Sequence, residues 1–175
     1  MDERRTTRQL QAEWRLVYGL AFTILILALL SCGGPSAEVG GTFDARAVDV
    51  CTTAVKSKQA WEEFPVESFN PARPDPSAFP EVASWLQDEV APTFETWLGG
   101  LRALGEPPTN REAWGDVLAA VEEVVRGNAD EIDAAKAGDT AAFVAAHDRL
   151  VQIQSELERA TAAAGVPRCA DVHDA

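Results

Sequence analysis

The stretch that decides the fold is Ala134 to Phe143, AAKAGDTAAF. A helix-forming run meets Gly138 and Asp139 and then becomes helix-forming again. Glycine reaches the left-handed conformation that ends a helix at no steric cost. Aspartate directly after it can accept hydrogen bonds from the first backbone N–H groups of a new helix. Two residues that stop one helix and start the next leave no room for a long connection, so the flanking helices must lie side by side and antiparallel.

Working outward, both neighbours carry the matching periodicity. Upstream, Trp114, Val117, Leu118, Val121, Val124, Val125 and Ile132 share one face of a helix that ends near Ala137. Asn128 falls on that stripe, as a satisfied polar core residue or a register-setting one. Thr109-x-x-Glu112 has the form of a capping box for its start. Glu122-Glu123 faces away from the stripe and reads as solvated surface. Downstream, Phe143, Ala146, Leu150, Ile153, Leu157 and Thr161 are in phase until Gly165 ends the helix and Pro167 forbids its return.

A further helix is predicted from about Pro80 to Leu104, with Val82, Trp85, Leu86, Val90, Phe94, Trp97 and Leu101 on its apolar face and a kink at Pro92. The first helix is predicted from about Asp44 to Glu63, capped by Asp44 or Thr42. Between these two lies FPVESFNPARPDPSAFP, residues 64–80. Its five prolines exclude regular helix, because proline lacks the N–H and clashes in a helix interior. Phe64, Phe69 and Phe79 within it argue for a strap packed on the body, or for one wall of a ligand cleft. The fold expected is all-α, an antiparallel up-down four-helix bundle over residues 44–175.

The N-terminal segment reads differently. MDERRTTRQLQAEWR carries Arg4, Arg5, Arg8 and Arg15, and the apolar run that follows ends at Leu30. About fifteen helical residues span roughly 22 Å, short of the roughly 30 Å of a hydrocarbon core and suited to a signal-peptide core. An uncleaved anchor is the alternative. The apolar residues that a twin-arginine signal would place soon after Arg4-Arg5 are missing.

Leu29-Leu30-Ser31-Cys32 resembles the bacterial lipobox. The resemblance implies a lipoprotein signal peptide over residues 1–31, a diacylglyceryl group on the Cys32 thiol, and cleavage before Cys32. Two acyl chains give stable anchoring where one gives only marginal binding. Residues 32–43, rich in glycine and small residues, would be the lipidated tether, with a reach of roughly 15–20 Å. The expected location is the extracytoplasmic face of the cell membrane, with the lipid on Cys32 as the membrane partner.

Net charge is −13 over the chain, and one unit more negative once the leader is set aside. Such a surface repels phosphates, so nucleic acid is not an expected partner. Cys51 and Cys169 are the remaining cysteines. An even pair near opposite ends of an exported domain reads as a disulfide, with two buried thiols as the alternative. In an up-down bundle these two positions fall at the same end.

Motifs that carry chemistry are missing from the sequence. Neither His147 nor His173 follows a glutamate at the di-iron spacing. There is no Cys-x-x-Cys-His, the only methionine is Met1, and structural zinc would want more Cys and His than remain. There is no phosphate loop and no Gly-x-Ser-x-Gly elbow. The expectation is no metal, no cofactor and no catalytic residue. His147 reads as a half-buried, satisfied histidine at the stripe edge. Trp61, Trp85, Trp97 and Trp114 could stack on a ligand, but at helical spacing they read first as core.

From LRALGEPP to AAAGVPRCA the chain is similar to a group of small exported lipoproteins of actinobacteria. The likeness rests on Gly165, Pro167 and Cys169, the Gly138-Asp139 break and Pro107-Pro108. It implies export and a disulfide-closed helical domain, and it carries over no activity. The function expected is a binding or protein-interaction module for an unidentified protein or small-molecule partner. The alternatives are an exported enzyme with its site near residues 64–80, or a structural accessory of a membrane complex.

Overall fold

A computed structural model describes residues 42–173 apart from 62 and 68. The signal peptide, the lipobox with Cys32 and most of the tether lie outside the described residues. Those described are helical with no strand among them: α1 (Phe43–Gln59), α2 (Phe79–Trp85), α3 (Ala91–Ala103), α4 (Arg111–Ala137) and α5 (Thr140–Ala164). Short 3-10 turns at Pro76–Ala78 and Pro167–Val172 and a π-helical turn at Leu86–Val90 complete the order. None of the described helices is long and apolar enough to cross a membrane.

The Gly138-Asp139 break forms as its chemistry dictates. Gly138 takes φ +68°, and the N–H groups of Gly138 and Asp139 donate back to Ala135 and Ala134. The Asp139 carboxylate then accepts from the Ala142 N–H at 3.0 Å. The result is an antiparallel hairpin of α4 and α5, the most extensive helix pair in the domain. The two helices pack tightly at Gly127, where a Cβ would stand 2.6 Å from a Leu150 methyl. Glycine there lets Leu150 fill the seam. Asn128, next along, is buried and donates its amide to the Val124 carbonyl at 3.0 Å.

Three expectations need correction. The first helix starts at Phe43 and ends at Gln59, shorter than predicted; Thr42 caps it at 3.3 Å from the Ala45 N–H. Phe43, one residue before Asp44, is buried edge-on to Trp114, with ring centroids 4.8 Å apart, so it is part of the packed body. The capping box at Thr109 does not form. Asn110 takes the cap position at φ +57°, a left-handed conformation asparagine tolerates, and this starts the helix one residue late for Thr109 and Glu112 to reciprocate. Glu122 and Glu123 lie on the surface as expected, where Glu122 pairs with Arg102 at 2.7 Å and Glu123 with Arg126 and Arg149.

The third correction concerns Pro92. The chain does not simply kink there. A π-helical turn, Leu86–Val90, joins α2 to α3, with the Ala91 N–H reaching back to the Leu86 carbonyl. The proline ring would clash with the carbonyl four residues earlier in a regular helix, and the wider turn relieves it. The Thr93 hydroxyl donates to the Glu89 carbonyl at 3.3 Å.

Helix α1 packs on α3 and on the C-terminal 3-10 turn, while α4 also receives α2 and α3. Cys51 and Cys169 are both fully buried and joined by a disulfide that ties α1 to that turn. The Trp97 indole N–H points at Cys51 Sγ, 3.4 Å away.

Candidate functional site

A cleft of about 530 Å³ opens beside the α4–α5 hairpin. The end of α1 contributes Lys58 and, just past it, Trp61; the proline-rich strap contributes Phe64, Phe69 and Pro71; Val82, Trp85, Leu86, Val90 and Phe94 come from α2, the π turn and α3. The hairpin supplies the other side through Asn128, Glu131, Phe143, His147, Leu150, Val151 and Gln154, and His173 closes one end. Val151 is 61% exposed, an apolar side chain at the mouth.

The walls are a continuous chain of aromatic contacts. Phe79 meets Phe143 at 5.1 Å, Phe143 meets Phe69 at 5.9 Å, and Phe69 meets Phe64 at 5.4 Å. Phe64 stands edge-on to Trp85 at 4.9 Å, Trp85 to Trp61 at 5.6 Å, and Trp61 to Phe94 at 5.9 Å. Edge-to-face pairs of this kind are worth more than their buried area alone. Trp61 is held further by its indole N–H, which donates to the Thr93 hydroxyl at 2.9 Å. The strap is thus both a cover and a wall, since its phenylalanines pack on the body and face the cleft. The π turn has a second effect here: it carries Leu86 and Val90 at its two ends into the same wall.

The polar groups sit on the hairpin side. His147, half-buried, places Nδ1 3.0 Å from Glu131 Oε1. A carboxylate accepts, so Nδ1–H donates. The Glu131 side chain is 7% exposed. Its burial raises the carboxyl above its ordinary range, and the hydrogen bond from His147, then that ring's charge, pull it back. Farther along α5, two turns from His147, Gln154 receives the His173 Nδ1 at 2.7 Å. Among the described residues no group of three or more His, Cys, Asp or Glu could hold a metal ion.

The four tryptophans divide. Trp97 and Trp114 are core, as the sequence predicts; Trp61 and Trp85 are half-buried cleft walls. His147 is the half-buried, satisfied histidine expected. Glu131, its partner, carries no sequence motif. The signal available was spacing: Val124, Asn128, Glu131 and Ala135 share one face of α4, which puts a carboxylate inside the apolar arc.

No protein-family model, no curated protein and no solved structure matches this chain.

Proposed function

We propose that this chain is an exported lipoprotein, tethered through Cys32, whose helical domain binds a small and mostly apolar ligand in the aromatic cleft. In this reading the domain is an antiparallel four-helix bundle in which residues 79–103 act as one helix bent at the π turn. One observation carries the function: a cleft of about 530 Å³ with aromatic walls and a few convergent polar groups. Ligand sites in proteins have volumes of about 300–1,000 Å³ and this mixture of linings. A tether of roughly 15–20 Å would hold the cleft near the bilayer, where apolar molecules are concentrated.

An apolar fluorescent probe, N-phenyl-1-naphthylamine, is expected to bind one per chain and to change the emission of Trp61 and Trp85. Trp61→Ala, which removes one wall, should weaken it several-fold. A signal that never saturates, or one indifferent to Trp61, would remove the support for a ligand cleft.

The anchor has its own test. Cys32→Ser is expected to abolish incorporation of labelled palmitate and to leave an unprocessed precursor, or to release soluble protein if another peptidase cuts. Equal labelling of the wild-type and variant chains would refute lipidation at Cys32.

A further inference from the structure

Glu131 is the only ionisable side chain among the buried residues described, and only one of its oxygens is engaged. Oε1 accepts from His147. Oε2 has no partner among the described residues, yet it is not shut off from solvent. For a cleft-lining side chain that is 7% exposed, that contact is with the cleft. A carboxylate oxygen buried without a hydrogen-bond donor is costly, more so in surroundings of low dielectric. Here the surroundings are rings: Phe143, Phe94 and the Trp61–Trp85 pair line the same space.

We infer that the ligand of this cleft carries a cationic nitrogen on an aromatic or aliphatic body, with the ammonium donating to Glu131 Oε2 and the body held by the aromatic walls. This rests on the reading of the cleft as a ligand site. Three features favour a cation over the other headgroups. An ammonium supplies the donor that Oε2 lacks, as a charge-assisted hydrogen bond. Aromatic faces attract cations, tryptophan most strongly. An anionic headgroup would stand beside a buried carboxylate and be repelled. Lys58 and His173 also line the cleft, but His173 is engaged with Gln154, and Lys58, at the end of α1, has a partner of its own. A neutral hydroxyl could donate to Oε2, but without the charge.

The test uses three probes that share one bicyclic body: 2-naphthylmethylammonium, 2-naphthylmethanol and 2-naphthoate. Each is titrated by calorimetry into the full-length chain in lipid nanodiscs, with empty nanodiscs subtracted, at about 0.15 M salt. The ammonium is expected to bind at least ten times tighter than the other two. Glu131→Gln should erase that preference, while an unchanged helical circular-dichroism spectrum and a cooperative urea transition report that the variant is folded. Should that variant not fold, the wild-type preference at 0.5 M salt decides, because attraction to the acidic surface is screened there and a buried pair is not. Equal or tighter binding of the alcohol or the carboxylate, or a preference that survives Glu131→Gln or vanishes in salt, overturns the headgroup and leaves the cleft reading standing. Binding by none of the three overturns both.

Discussion

Replacing both Cys51 and Cys169 by alanine is expected to lower the stability of the domain by about 4–5 kcal/mol. The bond closes a loop across a sequence separation of 118 residues, nearly the whole described domain. Removing it releases the unfolded chain, and in the chain-entropy account the cost grows with loop length to about that value. The folded state suffers too. Both sulfurs lie in the core with no exposure, and Cys51 Sγ is the acceptor for the Trp97 indole, so the variant leaves a small void beside a buried N–H. Alanine is the cleaner replacement, because serine would add two buried hydroxyls that need partners of their own. Against the roughly 5–15 kcal/mol of an ordinary domain, this is a large share. Urea unfolding of the double variant and of the wild type should show a lower midpoint and a steeper slope, the second because a chain without the cross-link exposes more surface on unfolding. A change below about 1 kcal/mol would mean that the unfolded chain gains no freedom from losing the bond, against the loop-closure account.

The disulfide also shows why parts of this fold were legible in the sequence. Cysteine pairing, the Gly138-Asp139 break, the glycine stop at Gly165 and the apolar stripes of α4 and α5 each depend on residues close in sequence or on one simple count. Local chemistry determines them, and the structure follows it. The Thr109 capping box failed for an equally local reason: Asn110 turns left-handed and displaces the helix start by one residue. The π turn at Leu86–Val90 answers a proline that was visible, but the way a helix absorbs a proline depends on its neighbours.

The cleft was much less legible. Its aromatic chain links residues from α1's end, the strap, α2, α3 and α5, and no periodicity connects Phe64 and Phe69 to Trp85 and Phe143. Strap residues have no repeating face, so their packing partners can be known only from the tertiary arrangement. Trp61 and Trp85 share the composition of core tryptophans and differ only in having one side open. Glu131 sits where an apolar residue would be expected by spacing, and that violation of pattern is what a buried functional group leaves in a sequence. Without Asn128, Glu131, His147 and Gln154 the hairpin side of the cleft would be as apolar as the strap.

The strap and the hairpin meet at Phe143, and the second large effect is expected there. Phe143 is 2% exposed, on the first turn of α5, with Phe79 on one side at 5.1 Å and Phe69 on another at 5.9 Å. Phe143→Ala is expected to cost about 3–5 kcal/mol, the loss of transfer energy plus the void left behind. The void would join the cleft, because the same ring lines it. Phe69→Ala makes the informative contrast. Phe69 is half-buried and belongs to the strap alone, so its loss should cost roughly half as much by buried area. It should weaken the naphthylamine probe at least as strongly, since the strap loses its hold on Phe64 and Phe143 together. Urea unfolding and probe titration on the two variants separate core from cover: Phe143→Ala should show mainly in stability, Phe69→Ala mainly in binding. If Phe143→Ala costs under about 1 kcal/mol, the α5 core is not packed around that ring. If Phe69→Ala leaves the probe affinity unchanged, the strap is a cover over the core and no part of the ligand site.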